Sequence, residues 1–208
     1  MTESGTAAEL LPDRLSLAGL RREAAQCRAC PLWRNATQTV FGEGRRASRM
    51  MLVGEQPGDR EDREGHPFVG PAGRLLDRAL IEAGVNRKDA YVTNVVKHFK
   101  HVRRGKRRIH KRPAADEIRA CRPWLEGEAE VVSPEVIVTL GATAAQALLG
   151  RDFRLTHHRG ELLDSELGPP VTATIHPSAV LRAPDDESRR ETYAGLVADL
   201  RSAARRLG

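Results

Sequence analysis

Three polar side chains of different kinds stand where apolar runs of the sequence stop. Glu55 follows "RMMLVG" (49–54), Asn94 lies within "YVTNVV" (91–96), and His176 closes "VTATIH" (171–176). A carboxylate can accept a proton or face a cation. A primary amide can donate and accept side by side, and an imidazole can donate to an atom that gathers negative charge. Taken singly, each has an ordinary explanation as a helix cap, a strand-end hydrogen bond or a surface imidazole. Together, beside a Gly/Pro-rich loop, they look like a site. The stretch after the first run, "GEQPGDREDREGHPFVGPAGRLL", is rich in Gly and Pro, which let the backbone approach a sugar or phosphate closely. Phe68 falls in this loop, where it is either a platform for a planar base or a plug seated on the sheet. The glycine spacing matches neither a Walker loop nor a dinucleotide fingerprint.

Two further groups carry chemistry. Residues 97–112, "KHFKHVRRGKRRIHKR", hold nine Lys or Arg, three His and no acidic residue. Gripping phosphate needs the cations but not His98, His101 or His110. The chain has three cysteines, two of them as Cys27-Arg-Ala-Cys30. In a reducing compartment this spacing speaks for a metal, a cluster or a redox pair rather than a structural disulfide. The pair follows the helix-like "LAGLRREAAQ" rather than a strand, which favours metal or cluster.

These residues need elements to position them. The runs 49–54, 91–96, 136–141 and 171–176 are short, apolar and β-branched, as buried strands are. Between them lie helical patterns: 70–84, with Pro near its start and Gly at its end; a helix opened by Pro113 and expected to bend or break at Pro123; "ATAAQALLG" after the third strand; and a closing helix through "ESRRETYAGLVADLRSAARR". This alternation predicts an α/β fold, a three-layer α/β/α sandwich around a central, mostly parallel four-stranded sheet. In such sheets ligands bind beyond the carboxyl ends of the strands, which is where Glu55, Asn94 and His176 fall. Residues 1–14 read as a flexible tail and 15–208 as a single domain. With 208 residues, 40% hydrophobic and 30% charged, the chain can bury a full core, and its net charge of +6 favours a polyanionic partner. No apolar stretch reaches the roughly 20 residues of a membrane span, and the N-terminus has no secretory pattern, so a cytoplasmic, membrane-free monomer without an obligate protein partner is expected.

The segments "GEQPGDREDREGHPFVGPAGRLL", "YVTNVVKH", "LGATAAQALLG" and "IHPS" together resemble the uracil-DNA glycosylase superfamily, in particular its iron–sulfur family 4, from about Cys27 to the last helix. Two departures, Gln56 where family 4 carries a small residue and the long basic loop "RRGKRRIHK", look like the family X branch, whose members become bonded to uracil-containing DNA through a loop histidine. By its place in "RRIHK" that histidine is His110.

The resemblance implies a set of roles. Phe68 would stack on an extruded uracil, Asn94 would pair with its O4 and N3–H, and His176 would donate to O2. Gln56 would shape the pocket. His110 would attack the sugar, with Glu55 taking its proton or supporting the cationic sugar. Lys106, Arg107, Arg108, Lys111 and Ser178 would bind DNA, single-stranded DNA being preferred. Family 4 holds a [4Fe–4S] cluster by four cysteines. Here Cys27, Cys30 and Cys121 remain, and His98 stands in the fourth place, a set that would equally suit zinc. His101 is expected to be a solvated loop residue. Two rival readings stay open: a glycosylase that releases abasic DNA and turns over, and a non-catalytic nucleic-acid binder stapled by metal.

Overall fold

The computed structural model describes residues 5–207. Residues 1–4 of the expected tail lie outside this range. The remainder of that tail is not loose: residues 7–10 form a 3-10 turn whose Ala7 is fully buried in the core. Helix α1 (Leu17–Ala24) is capped by the Ser16 hydroxyl and buries Leu20 and Ala24. Strand β1 (Met50–Gly54) is buried at every position, the pattern of a parallel strand covered on both faces. It leads through the short helix α2 (Asp59–Glu64) to α3 (Pro71–Glu82), and β2 (Ala90–Asn94) follows. The basic run is no open loop. It forms an antiparallel hairpin of β3 (His101–Arg104) and β4 (Arg107–His110), joined by a two-residue turn.

Helix α4 (Ala115–Val132) continues through Pro123, so the expected interruption does not occur. An internal proline costs about 3 kcal/mol. The burial of Trp124, Leu125, Ala129 and Val132 against α1 and the sheet outweighs that cost. Then come β5 (Val136–Leu140), α5 (Ala142–Leu149), α6 (Leu155–His158), the two-residue β6 (Leu162–Leu163), β7 (Val171–Thr174), α7 (Pro177–Leu181) and α8 (Asp186–Ala204).

The sheet order is β2-β1-β5-β7-β6, with every pair parallel except β6–β7. The expected four strands are therefore β2, β1, β5 and β7, and the sheet gains a fifth. β6 is too short to show period-two alternation in sequence. Alternate residues of β1 feed the two faces: Met51 and Val53 pack with α1, α4 and α5, while Met50 and Leu52 pack with α3 and α8. This is the three-layer α/β/α arrangement. Among the described residues no helix is long and apolar enough to cross a membrane.

Candidate active site

Parallel register brings the predicted residues together. Gly54 sits beside Asn94 across the β1–β2 pair, and β5 and β7 end on the same edge. Glu55, Gln56, Phe68, Asn94, His110 and His176 all line one cavity of about 580 Å³ at this edge. Two glycines make the closure possible. A Cβ at Gly54 would overlap both the Asn94 amide oxygen and the Phe68 ring, and one at Gly73 would overlap the Phe68 carbonyl. Phe68 itself has φ 57°, a left-handed conformation that costs a bulky residue on the order of 1–3 kcal/mol and recurs at ligand clamps. Its ring faces His176 at 6.1 Å between centroids, 30° from parallel.

His176 lies two residues beyond the end of β7 and caps α7. Its Nδ1 accepts from the Ser178 backbone N–H at 3.1 Å, and the Ser178 hydroxyl lies 2.7 Å from the same nitrogen. Burial, with Arg182 and His110 adding to it and Glu55 opposing, lowers the His176 pKa to about 4. The ring is therefore neutral at physiological pH, with Nδ1 occupied as an acceptor and its proton on Nε2, the free edge. Nitrogen-resolved NMR should find this tautomer unchanged from neutral pH down to about 5, with a titration midpoint near 4. A midpoint at the ordinary imidazole value would show a solvated ring instead. Ser178 thus serves His176, and its oxygen also accepts from Arg182 at 2.8 Å.

Asn94 is 2% exposed. Its main chain is fixed from behind by Lys97, whose ammonium donates to the Asn94 carbonyl at 2.7 Å, to Thr93 at 2.7 Å and to Glu128 at 2.5 Å. The Lys97–Glu128 pair is fully buried and completed by the Tyr91 hydroxyl, which donates to Glu128. One cation of the basic run is thus a core residue.

The hairpin carries His110 to the cavity mouth, with Nε2 3.3 Å from Glu55 Oε1. This is a close contact without the alignment of a hydrogen bond, and Oε1 is buried without a hydrogen-bonding partner. Burial pushes the Glu55 carboxyl up, but His110, Thr143 and His176 around it outweigh that, and its pKa lies below the usual value. Gln56 does not point at the cavity with its amide. Its Nε2 donates to the carbonyls of Lys100 and Lys111, and its Oε1 accepts from the Lys100 N–H at 3.1 Å. It clips the two ends of the hairpin together. His101 is not a solvated loop residue: it pairs across the hairpin with His110 and stacks on Phe99 at 4.9 Å.

Arg108 departs from its expected place at a phosphate. Its guanidinium is only 9% exposed, pairs with the Asp59 carboxylate and donates to Asp62 at 2.6 Å and Thr37 at 3.1 Å. Asp62 is fully buried, so this is an anchor between hairpin and α2. Lys106, Arg107 and Lys111 are exposed, as a phosphate-binding role needs. Sequence reasoning missed Thr143 and Arg182 in the cavity and the Asp59–Asp62 anchor. The acidic "DREDRE" opposite a basic run was a usable signal for the last.

Cys27, Cys30 and Cys121 are buried, unpaired thiols in one core cluster with α1 and α4. The Trp124 indole N–H donates to Cys27 Sγ at 3.3 Å, and the Lys97 backbone N–H to Cys121 Sγ at 3.3 Å. Burial pushes the Cys30 thiol up to about 11 and, against the lowering effect of Lys97, the Cys121 thiol up to about 12. His98 is buried, and burial lowers its pKa to about 4. The Thr39 hydroxyl gives its one proton to the Ala24 carbonyl, so at 2.9 Å from His98 Nε2 it can only accept. His98 therefore carries its proton on Nε2, and the Nδ1 lone pair is free to ligate. Among the described residues no three His, Cys, Asp or Glu are gathered so as to hold a single metal ion.

Comparison with known proteins gives a consistent result. The family described as "Uracil DNA glycosylase superfamily" matches residues 41–201. The chain is 42% identical over 166 residues to a type-4 uracil-DNA glycosylase of Thermotoga maritima, covering 79% of this chain and 83% of that one. It is 37% identical over 178 residues to the type-4 uracil-DNA glycosylase of Sulfurisphaera tokodaii, covering 82% and 78%. The type-4 protein of Archaeoglobus fulgidus is 36% identical over 192 residues, covering 89% and 93%.

Proposed function

Because the chain belongs to the uracil DNA glycosylase superfamily, we propose that it breaks the N-glycosidic bond of deoxyuridine in DNA and, as in the family X branch, stays bonded to the sugar through His110. The observation that carries the second half is the 3.3 Å approach of His110 Nε2 to Glu55 at the mouth of the cavity.

In the proposed reaction an extruded uracil lies on Phe68. Extrusion costs a few kcal/mol and is cheapest from single-stranded DNA, which is the preferred substrate on this reading. The Asn94 amide donates to O4 and accepts from N3–H. Cytosine reverses both groups and would leave them buried and unpaired. As the C1′–N1 bond breaks, its electron pair leaves on uracil, where the neutral His176 Nε2–H meets the charge building on O2. With the ring proton on Nδ1, the His110 Nε2 lone pair forms the new bond to C1′ while Glu55, kept ionised by its lowered pKa, supports the cationic sugar. The Nδ1 proton then leaves through solvent and neutralises the departed uracil anion. The product is a neutral N-alkyl imidazole, a poor leaving group, and one freed uracil. Lys106, Arg107 and Lys111 hold flanking phosphates. Arg108 and Gln56 keep the hairpin rigid, so the nucleophile is delivered without a large loss of chain entropy.

Incubation with a uracil-bearing single strand tests both halves. One uracil should be released per chain, with a protein–DNA species that survives denaturation. Uracil released many times per chain would favour the turnover enzyme, and none at all the non-catalytic binder.

Cys27, Cys30, Cys121 and His98 through Nδ1 fit a metal centre by donor chemistry: three soft thiols and a neutral imidazole, with N–H groups already aimed at two of the sulfurs. A single zinc with bonds of about 2.3 Å to sulfur needs its ligands gathered tightly. A four-iron cluster spaces its ligands farther apart, so the cluster is favoured. It would tie the N-terminal segment to α4 and to the root of the hairpin. Purified protein should be brown with broad visible absorption, bleached by iron chelation after oxidation. A colourless, zinc-loaded protein would contradict the cluster.

A further inference from the structure

A second, larger cleft of about 1130 Å³ adjoins the first cavity, and Thr143 lines both. It exceeds the roughly 300–1,000 Å³ usual for a small-molecule site, which suits a segment of polymer better than a compact ligand. One wall is the N-terminal half of α4 and the other is α5. The floor is aliphatic, with Ile118, Ala147 and Leu149. The rim is cationic: Arg112, Arg119 and Arg151 are exposed on it. Arg112 follows His110 by two residues and is steadied by the Gln146 side chain, to which it donates at 2.8 Å. The acidic residues do not cancel this charge. Glu166 is paired with Arg122 at 2.6 Å, leaving Asp164 as the other carboxylate in the cleft.

We infer that this cleft is a track for the nucleotides on one side of the uracil in a single strand, phosphates on the arginine rim and bases over the aliphatic floor. The inference rests on the proposed uracil site, because its starting point is the continuity of the two cavities at Thr143, with Arg112 of the cleft two residues beyond His110 of the pocket. A duplex would not fit: its paired bases could not lie on the floor while its phosphates reached the rim. Charge complementarity selects a polyanion, and continuity with the pocket selects DNA over an acidic peptide.

The test compares wild type with the double variant Arg119→Glu, Arg151→Glu in single-turnover uracil release. Three strands are used: a long flank on the 5′ side only, a long flank on the 3′ side only, and short flanks on both. Neither arginine is in the uracil pocket. The variant should raise the half-saturating concentration about tenfold or more for one of the two long-flank strands. It should leave the other two strands, and the maximal rate on all three, unchanged. The salt dependence on the affected strand should also fall by about 0.7 in logarithmic slope per lost phosphate contact. Equal weakening on all strands, or none, overturns the track. An unchanged variant in a protein that captures an Asp/Glu-rich peptide through these arginines overturns it in favour of a protein partner. If wild type releases no uracil, the glycosylase reading fails by itself. The track is then decided by fluorescence anisotropy with a uracil-free single strand: loss of affinity in the double variant supports it, and no loss overturns it.

Discussion

Replacing His110 with Ser is expected to abolish the denaturation-resistant protein–DNA species and to turn a single-use protein into one that releases many uracils per chain. The expectation follows from a separation of duties within the hairpin. Gln56 joins its two ends, and Arg108 binds it to Asp59 and Asp62, and neither contact involves the His110 ring. Removing an imidazole that is about half exposed leaves the hairpin in place and the fold stable. The pocket residues Phe68, Asn94 and His176 are untouched, so water can attack the sugar that the imidazole otherwise captures. Adduct yield, read on a denaturing gel, should fall from near one per chain to none. An equally strong band from His110→Ser would assign the bond to another side chain.

His176→Ala is expected to slow uracil release about 10²–10³-fold, the usual cost of removing one donor to a developing oxyanion. The structural reason is specific to this ring. Its Nδ1 is committed to the Ser178 N–H, and burial keeps it neutral, so the Nε2–H is fixed in place before substrate arrives. Its loss removes no net charge and leaves the phosphate-facing cations alone. Binding of a uracil-free strand should therefore be unchanged while the single-turnover rate collapses. The variant should also lose about 1 kcal/mol of stability, because Ser178 N–H at the start of α7 loses its cap acceptor. A rate within tenfold of wild type, measured at saturating protein, would remove His176 from the bond-breaking step.

The fold was legible where burial writes a pattern. The four core strands are continuous apolar runs because helices cover them on both sides, and the carboxyl-end rule then placed Glu55, Asn94 and His176 on one edge. The hairpin was not legible. Its strands are a run of cations in which Val102 and Ile109 are its only apolar pair, and both are exposed, so no buried face marks it. Its order comes from tertiary contacts: the Gln56 clip, the Arg108 anchor and the stacking of His101 on Phe99. For the same reason charge alone misassigned Arg108, since the sequence cannot say whether a cation faces phosphate or a buried Asp62. The two-residue β6 and the Pro123 helix were hidden likewise by packing, which overrides local preference.

The central claim, that the loop imidazole becomes the sugar's new partner, is tested most directly by intact-mass analysis of the protein after reaction with a uracil-bearing oligonucleotide, followed by peptide mapping. The predicted species weighs the sum of protein and oligonucleotide less one uracil, with the modified peptide carrying the nucleotide on His110. Unmodified protein beside abasic DNA, or a bond mapped to any residue other than His110, would contradict the account.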